Sequence, residues 1–334
     1  MNIEMEQATD FILKSTKEDK VWNQFLEQEK ERQLITIAHN PSLGRILAKT
    51  FGYIAKNKVL VKDDRVVGVL PAVQIGKKWV SMPHFSYGGP IVNPEVRIEP
   101  CVKRVFKNTS FEARSFKKLT EHQYDKKVAS IIKLKKDEEA QLNMLKPKFR
   151  RKIRNANKLN LRAVHGQAEL LDDFYNIYAR KMFQKGSPPL GKVFFKNLLE
   201  GYEHGEVGVS VVYKEDRPVA VGFRLCYLGF HELCWASSDP VFDRHNVNSF
   251  LFWKIIAYSI EKGYDYFSMG RSTLNSGSYI YKKQWAPMEL PLFYNYSEPV
   301  GKSIKEFTFL SKLWKMQPME TSVYLGHVIS KYVY

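Results

Sequence analysis

Residues 264–285 carry the side chains best suited to chemistry, and they read YDYFSMGRSTLNSGSYIYKKQW. We predict a strand that breaks at residues 269–272, then a small-polar loop over 273–278, then an aromatic and cationic segment. A loop rich in glycine and hydroxyl side chains leaves backbone N–H groups free to face a ligand. The cations and aromatic rings beyond the loop can close over that ligand. The alternative interpretation is a hairpin with ordinary surface lysines.

The chain is strongly basic, which predicts an anionic partner. Lysine and arginine number 52 against 35 acidic residues, so the formal net charge is +17. Nucleic acid, a phosphorylated precursor or an anionic membrane face would each suit this charge. The charge alone does not choose among them, and a cell that tolerates basic proteins is the remaining explanation.

Length and composition indicate a globular protein of about two domains. The chain has 334 residues, of which 44% are hydrophobic. No run approaches the ~18 apolar residues of a membrane span, and no signal peptide is evident at the start. Cys101, Cys226 and Cys234 form no CxxC pair and fit no disulfide framework. We therefore expect a cytoplasmic location.

An internal similarity predicts two domains of the same plan. Residues 62–69 (KDDRVVGV) and 214–221 (KEDRPVAV) each look like a polar turn between strands. A helical region with aromatic residues precedes each turn. We predict an α/β (α+β) fold of two tandem domains, each a mixed, mostly antiparallel sheet flanked by helices. The predicted divisions are 1–140, 141–299 and a helical tail, 300–334, that packs back on the body.

The most cationic part of the chain is a predicted helix that follows Lys146. No acidic residue occurs between Gln141 and Ala168. Solvated helices usually mix charge signs, so this pattern favours binding of phosphate or an RNA backbone over a plain solvated face. The cations of this segment are Lys146, Lys148, Arg150, Arg151, Lys152, Arg154, Lys158 and Arg162.

Residues 146–296 resemble the FemAB family of the GNAT superfamily, including its exosortase-associated branch. The resemblance is carried by FRRKIRNANKLNL (149–161), HNVNSFLFWKIIAYSIEKG (245–263), FSMGRSTLNSGSYIYKKQW (267–285) and LPLFYNY (290–296). Two positions depart from the family pattern. Ser268 or Met269 replaces an aspartate before Gly-Arg-Ser, and Ala286 replaces a glycine after the tryptophan.

The resemblance implies two GNAT-like domains and the transfer of an aminoacyl or acyl group. The expected donor is an activated ester, in this family aminoacyl-tRNA, and the expected acceptor is an amine of a cell-wall or cell-surface precursor. Lys282 is the expected catalytic residue, where its ammonium would stabilise the carbonyl oxygen or the leaving oxygen. The other expected substrate-binding residues are Arg271, Ser272, Tyr279, Tyr281, Arg151, Arg154 and Asn248.

Structural roles are the alternatives for these residues. Lys282 could be a surface lysine paired with an acid, Arg271 a buried ion pair, and the tyrosines core residues. Asn248 lies where a helix is predicted to begin, which suits an anion.

Transfer to an amine needs alignment and oxyanion stabilisation but no metal. The chain has no GxSxG, no HExxH and no paired cysteine ligands. We expect no cofactor beyond the co-substrate.

Acyl-CoA is the rival donor, although residues 244–249 lack the glycines that usually approach a pyrophosphate. A non-catalytic protein that binds an anionic polymer or nucleic acid is the rival from another class, and peripheral contact with the inner membrane face fits the charge.

Overall fold

The computed structural model describes residues 12–15, 19–96, 110–299 and 314–332. The helices are α1 (Asp19–Glu29), α2 (Ser42–Phe51), α3 (Glu138–Asn143), α4 (Pro147–Asn157), α5 (Leu171–Lys185), α6 (Lys192–Gly201), α7 (Val247–Glu261), α8 (Gly277–Lys283) and α9 (Met319–Ile329). The strands of the first half are β1 (Ile12–Ser15), β2 (Ile54–Ala55), β3 (Lys58–Lys62), β4 (Arg65–Leu70), β5 (Val73–Ile75), β6 (Lys78–Val80), β7 (Ile91–Val92), β8 (Phe111–Ser115) and β9 (His122–Lys133). Those of the second half are β10 (Leu161–Gly166), β11 (Glu206–Lys214), β12 (Arg217–Tyr227), β13 (Phe230–Ser238), β14 (Tyr266–Thr273) and β15 (Met288–Tyr296).

Within the described residues, one 11-stranded sheet runs through both halves of the chain. Its order is β10-β11-β12-β13-β14-β9-β15-β8-β6-β5-β2, and a 4-stranded sheet, β1-β3-β4-β7, stands beside it. The pairs β13–β14 and β6–β8 are parallel, whereas the other pairs of the large sheet are antiparallel. The predicted class, a mixed and mostly antiparallel sheet flanked by helices, is confirmed.

The two similar segments both form hairpins. Lys62 pairs with Arg65 across one turn, and Lys214 pairs with Arg217 across the other. Asp63 and Asp64 have positive φ angles of 47° and 57°, which polar turn residues tolerate better than β-branched ones. In the second turn only Glu215 has a positive φ, of 56°, so the similar sequences form two-residue hairpins whose turns differ in backbone angles.

Strand β9 connects the two halves, because it lies between β14 and β15. The domain boundary predicted at residue 140 stays a prediction. Backbone hydrogen bonds join β9, which precedes this boundary in the sequence, to β14 and β15, which follow it. Residues 300–313 of the predicted tail lie outside the described residues, as do residues 333 and 334. In the described part, Gly326 of α9 packs against Pro189, and the Tyr53 hydroxyl donates to the Lys331 carbonyl at 2.6 Å.

Two apolar cores lie on opposite faces of the large sheet. The first is rich in aromatic rings and joins α2, α5 and α6 to the sheet through Phe51, Phe174, Phe194, Phe195 and Phe223. The second packs α4 and α7 on the other face through Phe149, Ile153, Phe252, Phe267 and Trp285. No helix among the described residues has the length and apolar character needed to cross a membrane.

The predicted strand break at residues 269–272 is wrong. Strand β14 continues to Thr273, and its pairing with β9 shifts between Ser268 and Arg271. Gly270 has a φ of 69°, so the glycine forms a β-bulge and does not end the strand. A Cβ at this position would lie 2.9 Å from the Ser86 hydroxyl oxygen, which explains why a side chain would not fit.

The aromatic and cationic segment, for which no secondary structure was predicted, is helical. It forms helix α8, and Ser276 is the N-cap that accepts a hydrogen bond from the Tyr279 backbone N–H at 3.3 Å. The N-cap explains why a serine- and glycine-rich run precedes a helix. Helical geometry turns Lys282 and Lys283 to different sides, so one is buried and the other exposed.

We predict that Ala286→Gly stabilises the protein by about 1 kcal/mol, because Ala286 adopts a left-handed φ of 51° and is exposed. Urea unfolding would measure the change in the free energy of unfolding. Ala140→Gly, the same chemical change inside helix α3, is the control and should destabilise by about 1 kcal/mol. Equal destabilisation by both variants would contradict the prediction.

Candidate active site

The candidate site begins where two parallel strands separate. β13 and β14 pair only from Phe230–Tyr266 to Glu232–Ser268. Beyond Glu232, β13 continues beside β12 alone, and beyond Ser268, β14 continues beside β9. The pairing of each strand shifts just after the separation, at Cys234 in β13 and at Gly270 in β14. The two strands therefore enclose an opening within the sheet.

Lys282 reaches this opening from helix α8. Its side chain is buried, and Nζ donates to the Arg271 carbonyl oxygen at 3.0 Å. Burial is the main cause that lowers the pKa of Lys282 to about 8, with Glu232 acting in the opposite direction and Arg271 in the same one. No carboxylate among the described residues forms an ion pair with this ammonium within 4 Å.

Glu232 is the acidic partner in the opening. It is 1% exposed, and burial raises the pKa of its carboxyl to about 7, while Ser86, Arg271 and Lys282 oppose that shift. Its Oε2 atom has no hydrogen-bond partner among the described residues. A buried carboxylate oxygen without a donor is costly, so this oxygen is suited to receive a proton or an N–H from a ligand.

Hydroxyl groups from both halves of the chain surround the Glu232 carboxyl group, which is the centre of the candidate site. The Tyr87 and Ser268 hydroxyls lie 2.9 Å apart, and Ser268 also accepts from the Gly270 N–H at 3.0 Å. Ser86 and Ser268 both hydrogen-bond to Glu232. The loop that carries Ser86 and Tyr87 belongs to the first half, so the site is assembled from both halves.

Arg271 lies beside this centre on the face of β14 that meets the first half. Its Nη1 donates to the Phe85 carbonyl oxygen, which also accepts from Arg114 Nη1 at 2.9 Å. Burial lowers the pKa of Arg271, and the neighbouring Arg114 contributes to the lowering. Among the described residues, no carboxylate lies within 4 Å of the guanidinium, although Glu232 interacts with it at longer range.

A cationic cavity of about 500 Å³ opens on the other face, between α4 and the N-terminus of α7. Tyr281, the residue before Lys282, lies beside this cavity. Lys152 Nζ is 6.0 Å from the centroid of the Tyr281 ring, and the Tyr281 hydroxyl is 3.3 Å from the Ser249 hydroxyl. The residues that line the cavity are Lys146, Lys148, Phe149, Arg151, Lys152, Asn155, Asn246 and Gln284. Cations and a helix N-terminus together suit a phosphate group.

The remaining predicted residues divide between the site and its surroundings. Tyr281 contacts Asn248 at the start of α7, and Arg151 lines the cavity. Ser272 is buried under α8, where its hydroxyl lies 3.2 Å from that of Ser278. The Tyr279 hydroxyl donates to Glu289 at 2.8 Å and so contacts β15. Arg154 is exposed and does not line the cavity.

Sequence reasoning missed Glu232 and the hydroxyl of Ser86. The available signal was a single acidic residue inside the otherwise buried strand FHELCWASS. A charged residue in such a strand is rare unless it has a partner or a function.

Asp19, Glu203 and His204 come closest to a metal-ligand set among the described residues, with ligand atoms within 4.8 Å of one another. Arg45 already donates to both oxygens of Asp19 at 2.8 Å and to Glu203 at 2.7 Å. The guanidinium therefore supplies the positive charge that these acids need.

Comparison with known proteins agrees with this geometry. Residues 146–283 match the family model described as an acetyltransferase (GNAT) domain. The second half of the chain therefore contains a GNAT-type domain, and the chain as a whole has a fold like that of FemX. The structure of FemX matches with a TM-score of 0.64 at 13% identity, covering 85% of this chain and 96% of that one. A search of curated protein sequences found no match.

Two further solved structures share the FemAB-like tandem fold. The C-terminal domain of a putative lysylphosphatidylglycerol synthetase from Agrobacterium fabrum has a TM-score of 0.53 at 10% identity, covering 84% of this chain and 92% of that one. A tandem GNAT protein from the clavulanic acid biosynthesis pathway has a TM-score of 0.53 at 10% identity, covering 87% and 99%. At such low identity these matches establish the fold.

The raised pKa of Glu232 predicts a pH-dependent stability. The folded state holds this proton more tightly than the unfolded state, so wild-type stability falls as the pH rises from about 4.5 towards 7. Glu232→Gln removes this loss, and its stability relative to wild type should grow by up to roughly 3 kcal/mol across that range. Urea unfolding at pH 5, 6 and 7 measures the difference. Glu215→Gln, in an exposed turn, is the control, and parallel curves for wild type and Glu232→Gln would contradict the prediction.

Proposed function

We propose that the protein transfers an aminoacyl group from aminoacyl-tRNA to an amine of a cell-wall or cell-surface precursor. The observation that carries this proposal is the buried pair of Lys282 and Glu232 at the point where β13 and β14 separate. An ammonium and a carboxylate in a dry opening provide the two charges that acyl transfer to an amine requires. A cytoplasmic location follows from the donor, because charged tRNA is available there.

The roles of the two residues follow from the charges that change in the reaction. The acceptor nitrogen forms a bond to the carbonyl carbon, and the bond from that carbon to the donor's ester oxygen breaks. Glu232 accepts the proton that the nitrogen loses, since a carboxyl with a pKa of about 7 is matched to this task. The Lys282 ammonium offsets the charge on the carbonyl or leaving oxygen and can supply the proton that the leaving oxygen needs.

The cationic cavity between α4 and α7 is the proposed donor site. Four of its lining residues are cations, and one of them, Lys152, lies beside the ring of Tyr281, the residue before Lys282. Polyanionic tRNA would engage these cations and the exposed arginines of α4. One protein of similar fold is named as a putative lysylphosphatidylglycerol synthetase. Its named product contains a lysyl group and an anionic lipid, which supports an aminoacyl donor here.

Acyl-CoA is the alternative donor, and one observation favours it. Asn246, the N-cap of α7, has a positive φ of 58°, so a loop without glycine still turns its backbone towards the cavity. A pyrophosphate would suit this helix N-terminus. The tandem GNAT protein of similar fold is described as a structure without AcCoA, which associates that protein with an acyl-CoA. Transfer assays with charged tRNA and with acyl-CoA as separate donors distinguish the two.

We predict that Lys282→Met lowers the rate of acyl transfer by about 10²- to 10³-fold, the usual cost of losing one stabilising group in the transition state. Lys283→Met is the matched control, because Lys283 is the next residue but is exposed, and it should retain wild-type activity. Single-turnover rates with a saturating donor provide the measurement. A non-catalytic binding protein would give no transfer with any donor in the wild type.

We predict that Arg151→Gln weakens donor binding and leaves the single-turnover rate at saturation nearly unchanged, because Arg151 lines the cavity away from the reacting pair. For a tRNA donor, the slope of log affinity against log salt concentration should become shallower by about 1. Filter binding at several salt concentrations measures this slope. Lys196→Gln, on the exposed surface of α6, is the control. Identical losses for both variants would argue against a donor site in the cavity.

A further inference from the structure

A second group of cations lies on the face of the sheet opposite the donor cavity. Lys127 of β9 pairs in register with Thr273 of β14, and its Nζ donates to the Thr273 hydroxyl at 2.6 Å. Arg271 lies two residues before Thr273 on the same strand, so both side chains point to the same face. Cross-strand diagonal neighbours of this kind are about 7 Å apart, within reach of one small anion.

These cations form no close ion pair with an acidic residue of the described part of the chain, and Glu232 acts on Arg271 only at longer range. None of the carboxylates in the described part of the chain forms an ion pair with Lys127 or Arg271 within 4 Å. Arg114, which forms an ion pair with Glu112, adds further positive charge nearby. Burial and repulsion from both arginines lower the pKa of Lys127. Partly buried cations that repel one another and have no carboxylate in contact are costly, so a bound anion would stabilise them.

Both side chains retain donors for such an anion. Lys127 uses one of its three N–H donors on Thr273, and Arg271 uses one of five on the Phe85 carbonyl oxygen. Lys127, Arg271 and Thr273 are each partly accessible to solvent. The group also adjoins the reacting pair, because the Lys282 ammonium donates to the backbone carbonyl of Arg271.

This group is separate from the donor cavity. Ser272, between Arg271 and Thr273, points to the other face, where it meets Ser278 of α8. The donor cavity lies with α4 and α7 on that other face. A donor in the cavity and an acceptor beside Lys127 would approach Lys282 from opposite sides of the sheet.

We infer that Lys127, Arg271 and Thr273 bind an anionic group, a carboxylate or a phosphate, of the amine acceptor. The acceptor thus carries a negative charge near its reacting nitrogen, and the subsite selects it over neutral amines. This inference rests on the proposed function, because it assigns one substrate to each face of the same site.

Binding of small probes tests the subsite without requiring catalysis. β-Alanine and phosphoethanolamine are the anionic amines, and β-alaninamide and ethanolamine are their counterparts without the anionic group. Calorimetry at constant ionic strength should give tighter binding of the anionic member of at least one pair to the wild-type protein. Lys127→Gln should weaken that binding about tenfold, the effect of about 1.4 kcal/mol for a charge-assisted hydrogen bond.

Three control variants make the result specific. Lys126→Gln, an exposed neighbour on the same strand, removes the same charge and should bind the probes as the wild type does. Thr273→Val removes only the hydroxyl and should weaken binding less than Lys127→Gln. Arg151→Gln alters the donor cavity and should leave the preference for the anionic probe unchanged. Preference for β-alanine alone indicates a carboxylate acceptor, and preference for phosphoethanolamine alone indicates a phosphate.

The outcomes separate this inference from the proposed function. Equal binding of charged and neutral amines, or equal affinities in Lys127→Gln and Lys126→Gln, overturns the subsite. A preference that Arg151→Gln abolishes would assign the anion to the donor cavity and also overturns it. Loss of transfer in Lys282→Met together with unchanged binding in Lys127→Gln retains the enzyme and rejects the subsite. Specific probe binding with no transfer from any donor supports the subsite and rejects the proposed reaction.

Discussion

The electrostatic interaction between a buried ammonium and a buried carboxylate is the constraint on which the site depends. Lys282 and Glu232 interact electrostatically in an opening of the sheet, and burial shifts both pKa values towards neutral pH. Removing two charges from water costs more than a fold usually gains from their attraction. The sheet accommodates both side chains because β13 and β14 separate there. The separation leaves room for side chains where backbone hydrogen bonds would otherwise join the two strands. Perturbed groups of this kind are typical of functional sites.

The same separation of strands divides the molecule into two chemical sides. On one side, the basic helix α4 and the start of α7 surround a cavity lined by cations. On the other, Arg271 and the first-half loop with Phe85 meet across the sheet. An enzyme that joins two substrates benefits from this arrangement, because each substrate reaches the reacting atoms without displacing the other.

Strand β9 explains why neither half provides the site alone. It belongs to the first half by sequence but hydrogen-bonds with β14 and β15 of the second. Asn295 of β15, which is fully buried, accepts from the Leu119 N–H at 2.7 Å and donates to the carbonyl of Ala113. Arg114 of β8 and Arg271 of β14 both donate to the Phe85 carbonyl oxygen, next to Ser86 and Tyr87. The geometry of the site therefore depends on contacts between distant segments.

The sequence alone determined the local features of this protein. The hairpins at residues 62–69 and 214–221, the basic helix with its early proline and the burial of aromatic residues were all predictable, because each depends on neighbouring residues. Lys282 was identified through a family resemblance. Its burial was not predictable, because an adjacent lysine of the same type is exposed.

Tertiary structure decided which residues meet. Glu232 was missed because a single acidic residue in a strand has no local signature, and its partners come from α8, β14 and a loop more than a hundred residues earlier. Gly270 was taken as the end of a strand because glycine marks bulges and breaks alike. Only pairing with β9 distinguishes the two, since a bulge exists only relative to a partner strand.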